Sequence, residues 1–239
     1  MTQLEVSNLR AGYSRDIDIL SGVSVIARPR QLTTIIGANG VGKSTLLKTI
    51  IGQLRPHAGS IRYGETDLVG VATRDLVRMG IAYVPQGHAL FKDMTVAENI
   101  EMATWSFRSD RQRCRTATER VFERAPHLKE FRQRRAGLMS GGQQRLMQLE
   151  LALMSDPDLM LIDEPTVGLD PKRAGVIYDH LRRLVGEEGR TVLMVDQNVI
   201  AGTDVADYIY VLELGANKIE GSKAHFDETY RDTIADWLF

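Results

Sequence analysis

The stretch GANGVGKST, Gly37 to Thr45, lies between an apolar run, QLTTIIG (31–37), and a helix-forming run, KSTLLKTIIG (43–52). A β-branched strand that runs into glycines and then into Lys43 and Ser44 satisfies the G-x-x-x-x-G-K-[ST] pattern in the strand–loop–helix context it requires. Gly40 and Gly42 let backbone N–H groups turn inward on a phosphate. The helix N-terminus adds partial positive charge, and Lys43 supplies a point charge. Gly37, Asn39 and Thr45 complete the loop, and Ser44 is placed to ligate Mg²⁺. A glycine turn that served structure alone would have no use for the lysine–serine pair.

Working outward, QLEVSN and LSGVSVIA alternate apolar and polar residues and read as strands. PHAGSIRYG adds a turn and a strand, TRDLVRMG a short helix ended by Gly80, and IAYVPQG a strand closed by Pro85. From about 92 to 153 the pattern is helical, broken by Pro126 and MSGG. Strands return with DLMLID (158–163) and TVLMVD (191–196), separated by the helical AGVIYDHLRRLVGEEG, and YIYVLELGANKIEG reads as a hairpin. The expected fold is α/β: a phosphate-loop NTPase core of parallel strands with crossover helices and an inserted α-helical subdomain. The expected division is one domain over 1–239, with the core in 1–91 and 154–239 and the helical insertion in about 92–153.

Thirty basic against thirty-one acidic residues give no global reason to expect nucleic acid as a partner. Arg108 to Arg135 is locally different, with ten basic residues against four acidic ones. This segment reads either as a solvated helical face or as a surface near anionic lipid headgroups. Cys114 is alone and no Cys/His cluster has zinc-ligand spacing, which fits a reducing compartment. The N-terminus lacks the layout of a secretion signal, and no run approaches the ~20 apolar residues needed to span a bilayer. A cytoplasmic chain that docks on a membrane is expected.

LMLIDEP puts Asp163 at the tip of an apolar strand, where a carboxylate can hold a Mg²⁺ water, with Glu164 beside it as candidate base for an attacking water. In MSGGQQ, Ser140 precedes a helix whose Leu146, Leu149 and Leu153 share one face, so the serine reads as an N-cap and a second anion site.

With this motif the chain resembles the nucleotide-binding subunits of ABC transporters, over essentially its whole length. The resemblance implies the ABC ATPase fold, with an N-terminal antiparallel β subdomain beside the α/β core and the inserted α-helical subdomain, and ATP and Mg²⁺ as cofactors. It also implies a head-to-tail pairing with a second ATPase subunit, or a second copy of this chain, in which Ser140, Gly141, Gly142 and Gln143 serve the partner's nucleotide. Tyr13 falls at the adenine-stacking position, and Gln86 at the glutamine touching Mg²⁺ and the attacking water. Asp170 falls in the loop between the two sites, and TVAEN (95–99) at the start of the helical lobe. Two transmembrane permease subunits, a solute-binding protein and peripheral attachment to the cytoplasmic membrane face are implied as well.

Departures from the family pattern are informative. Leu146 and Leu151 stand where the family often has arginines after the signature. Gln197, thirty-three residues after Glu164, stands where most members have a histidine that contacts the γ-phosphate. A glutamine keeps a hydrogen bond there but cannot titrate. VDQN, GANGVGKST and GIAYVPQG are similar to one of the two ATPases of importers for branched-chain amino acids and of related urea or amide importers, although others of that group often have glutamate at Gln86. An ABC exporter for lipid or drug shares every catalytic motif and is the alternative. Soluble ABC ATPases usually carry two nucleotide domains or a long coiled-coil insertion. A G protein (from NKIE, 217–220) or a small-molecule kinase would leave Ser140 without a task.

Overall fold

The computed structural model describes residues 2–14, 16–87 and 89–230; the last nine residues assigned to the core lie outside these. The N-terminal half runs β1 (Leu4–Ala11), β2 (Leu20–Ala27), β3 (Leu32–Ile36), α1 (Lys43–Ile50), β4 (Ala58–Tyr63), β5 (Thr66–Asp67), α2 (Thr73–Arg78) and β6 (Ile81–Val84). Four helices follow: α3 (Val96–Ala103), α4 (Arg111–Arg124), α5 (Pro126–Glu130) and α6 (Gly141–Leu153). The chain then returns through β7 (Leu159–Asp163), α7 (Pro171–Gly186), β8 (Thr191–Asp196), α8 (Val199–Val205), β9 (Tyr208–Glu213), β10 (Ala216–Ser222) and α9 (Lys223–Thr229).

The strands form two sheets, a four-stranded one in the order β2-β1-β4-β5 and a six-stranded one in the order β10-β9-β3-β8-β7-β6. The first is antiparallel, and β1 alternates buried and exposed residues as a sheet with one covered face should. In the second, β9, β3, β8, β7 and β6 pair in parallel and only the β9–β10 hairpin is antiparallel. Its central strands β3, β7 and β8 are buried at every position, so both faces are covered.

Side-chain alternation divides β7 between two cores. Leu159 and Leu161 pack with Leu46, Leu47 and Ile50 of α1 and with the antiparallel sheet, whereas Met160 and Ile162 pack with Ile177, Leu181 and Leu184 of α7. A third core, including Val96, Ile100, Val121, Leu128 and Met147, belongs to the helices between β6 and β7. The fold is therefore the expected α/β one with an antiparallel β subdomain and an inserted helical subdomain.

The TVAEN stretch has a local physical account. Thr95 and Glu98 form a capping box at the start of α3, and the buried Asn99 amide donates to the carbonyls of Phe91 and Thr95, closing the turn before the helix. Pro126 opens α5 at a position where its missing N–H is harmless.

Arg111, Arg113, Arg115 and Arg120 of α4 are exposed, and only Arg124 is largely covered. Arg113 donates to Ser155 O at 3.2 Å, Arg120 lies 3.8 Å from Asp156, and Arg124 meets Glu150 at 2.7 Å and Glu188 at 3.6 Å. These cations join α4 to α6, to the turn after α7 and to the connection into β7. Arg115 pairs with Glu119 on its own helix, and Arg108 stacks on the exposed Trp105 ring at 4.0 Å.

Candidate nucleotide site

Sheet register brings the chemistry together. Ile36 pairs with Asp196 and Asp163 with Val195, so the ends of β3, β8 and β7 deliver the Gly37 loop and three carboxyl groups, those of Asp163, Glu164 and Asp196, to one edge. This is the carboxyl end of a parallel sheet, where α/β folds place their ligands.

Two loop glycines are required by space and by backbone. A Cβ on Gly37 would sit 2.6 Å from Leu212 O; Gly42 has φ 105° and caps α1, and its Cβ would meet Leu20 at 2.6 Å. Asn39 and Gly40 are exposed at the loop tip, and Thr45 is buried in α1. Lys43 is also buried and donates from Nζ to Gly37 O at 2.6 Å and to Ala38 O at 3.0 Å. Burial pulls the Lys43 pKa down, and the nearby Glu164, Asp196 and Asp163 push it back up.

Asp163 accepts from Ser44 Oγ at 2.9 Å and from the Tyr83 hydroxyl at 3.3 Å. Glu164 follows with φ 44°, a left-handed conformation unfavourable for a residue with a side chain, held by its N–H donating to Val195 O at 2.9 Å. Its carboxylate accepts from Gln86 Nε2 at 2.5 Å. Burial raises the pKa of Asp163 and of Glu164, and Lys43 opposes the rise at Glu164. Lys43, Ser44, Gln86, Asp163 and Glu164 are thus one cluster.

Ser44, Asp163 and Gln86 offer a hydroxyl, a carboxylate and an amide carbonyl, all hard oxygen donors. No group of three or more His, Cys, Asp or Glu suited to a metal occurs among the described residues. Mg²⁺ bound with a nucleotide uses one or two carboxylates and takes its remaining ligands from phosphate and water, so this sparse set fits it.

Arg145 is the residue that reading the motifs missed. It is 7% exposed and uses all five N–H donors: Nε to Pro165 O (2.8 Å), one terminal nitrogen to Pro85 O (2.9 Å) and Gln148 Oε1 (2.7 Å), the other to Glu164 O (2.6 Å) and Asp163 O (3.3 Å). Gln148 in turn donates to Gly87 O at 3.1 Å, so α6 grips the chain on both sides of Gln86. The available signal was Arg145 standing four residues before Leu149, on a buried stripe where a lone guanidinium needs partners.

The remaining candidates stand apart from that cluster. Ser140 forms a capping box with Gln143 at the start of α6, beside Gly141 and Gly142. Asp170 caps α7 and accepts from Arg173 N at 3.1 Å. Tyr13 is exposed, with its hydroxyl 3.3 Å from Lys48 Nζ of α1. Gln197 is exposed, one residue beyond the fully buried Asp196.

A phosphate loop on a parallel sheet, a strand-tip Asp-Glu pair and a helical insertion ending in a capped SGGQ helix define an ATP-binding cassette. The family model described as ABC transporter matches residues 20–167, and the chain belongs to that family. It is 42% identical over 203 residues to the high-affinity branched-chain amino acid transport ATP-binding protein BraG of Pseudomonas aeruginosa, covering 85% of this chain and 86% of BraG. It is 32% identical over 219 residues to the probable branched-chain amino acid transport ATP-binding protein LivF of Archaeoglobus fulgidus, covering 92% of each. A solved ATP-binding cassette of an ABC transporter in its ADP conformation superposes with a TM-score of 0.84 at 27% identity, over 99% of each chain. The chain is an ATPase of the transporter type. Among the described residues no helix is long and apolar enough to cross a membrane.

Proposed function

We propose that this chain is the ATP-hydrolysing subunit of an importer for branched-chain amino acids or related small polar solutes such as urea or short amides. It works at the cytoplasmic face of the membrane with a second ATPase and two permeases, and receives solute through a solute-binding protein. The observation that carries this reading is the 42% identity to BraG over 85% of the chain. VDQN, shared in kind with that importer group, supports it.

In this reading Lys43 and the N–H groups of the 37–45 loop hold the β- and γ-phosphates. Ser44, Asp163 and Gln86 would hold Mg²⁺, which supplies positive charge to the transferring phosphoryl group. Glu164 accepts a proton from the attacking water, and Gln197 donates a side-chain N–H to the γ-phosphate. Tyr13 stacks on adenine, while Ser140 to Gln143 and Asp170 serve the partner's nucleotide. Gln86 already engages Glu164, so both side chains rearrange together when nucleotide enters.

The test is to isolate the intact complex through this subunit, reconstitute it in liposomes with its solute receptor, and measure ATP-driven uptake of labelled leucine, isoleucine, valine and urea. Uptake that is abolished by Glu164→Gln is the expected result. ATP-driven outward movement of lipid or drug, with no solute uptake, would replace import by export.

A further inference from the structure

Asp196, the last residue of β8, is fully buried one position before the exposed Gln197. Its carboxylate is met by the Asn198 N–H at 2.9 Å, the Gln197 N–H and the Tyr178 hydroxyl at 2.8 Å, with the Lys43 ammonium acting on it from the phosphate loop. Burying a carboxylate is costly even so, and burial raises its pKa. Such a group needs a reason to be there.

The Tyr178 oxygen also lies 2.9 Å from Thr166 Oγ1, and all three side chains are buried. Tyr178 has a single hydroxyl hydrogen and donates it to Asp196, so the direction is fixed. Thr166 O–H donates to Tyr178, and Tyr178 O–H donates to Asp196. The two ends of this line are functional loops. Thr166 lies two residues beyond Glu164, and Asp196 holds the Asn198 N–H across Gln197, which shapes the turn that carries it. The loops are tied a second time by the Glu164 N–H on Val195 O.

We propose that Tyr178 is a positioning residue whose hydroxyl, strung between Thr166 and Asp196, keeps the Gln197 turn in register with the Glu164 loop. The γ-phosphate contact and the base then move as one unit. If the ring served packing alone, phenylalanine would do as well; the hydroxyl is what the two loops use. This inference rests on the proposed contact of Gln197 with the γ-phosphate, and its test separates the two.

ATP hydrolysis by the assembled complex is measured for Tyr178→Phe, for Gln197→Ala and for the double variant. Tyr178→Phe lowers kcat about tenfold while KM for ATP changes less than about twofold, and adding it to Gln197→Ala costs less than about twofold more. An equal tenfold loss in both backgrounds, or no loss in either, overturns the relay. If Gln197→Ala alone leaves hydrolysis unchanged, the γ-phosphate reading falls and takes the relay with it. Thr166→Val enters from the other end and carries the same cycle should Tyr178→Phe fail to fold; it is expected to match.

Discussion

Replacing Arg145 by lysine keeps the charge and nearly the reach but removes the planar fork. The arginine distributes five donors over Pro165 O, Pro85 O, Gln148 Oε1, Glu164 O and Asp163 O, at 2.6 to 3.3 Å. An ammonium has three donors on one atom, so at least two acceptors lose their partner. A hydrogen bond from a charged donor contributes about 1.5–3 kcal/mol, and two losses at the lower end give a destabilisation of about 3 kcal/mol. For a chain of this size that lowers Tm by roughly 6–12 °C. Urea unfolding of the purified subunit, followed by circular dichroism, measures it. The control is Arg115→Lys, whose single exposed pair with Glu119 is screened by solvent and adds little to stability. A shift at Arg145 below about 1 kcal/mol, or equal to the control, would refute the claim that this guanidinium holds the Gln86 and Glu164 loops in place.

Two further outcomes follow from the same site. Burial holds the Glu164 pKa above its ordinary 4.5, and a base must be unprotonated to act, so turnover is lost as pH falls through that raised value. A pH–kcat profile whose acid limb lies at or below 4.5 would contradict the assignment. Gln197→His puts a titratable group where we propose the γ-phosphate contact, and it is expected to speed hydrolysis at this chain's own loop, by up to roughly 10²-fold if acid–base work is what glutamine lacks. Single-turnover hydrolysis resolved by site would show no change if glutamine already does the whole task.

Contiguous chemistry was legible in the sequence and dispersed chemistry was not. The 37–45 loop could be read because strand, glycines, Lys43 and Ser44 follow one another, and local rules place the phosphate at a helix N-terminus. Ser140 as a cap was equally local, since Gln143 three residues on completes the box. Arg145 reaches Pro85 sixty residues away and Pro165 twenty away, and Tyr178 joins residues 166 and 196; no periodicity encodes such contacts. The partners of the α4 arginines were hidden for a related reason. Counting charge along a segment registers ten basic residues but not the Glu150, Asp156 and Glu188 that the fold sets against them.

Lys43 donates across the turn to Gly37 O and Ala38 O, so the loop's own carbonyls hold the lysine in place. One buried ammonium thereby fastens the start of α1 to the turn that leaves β3, so losing Lys43 would cost the loop its tie as well as its charge.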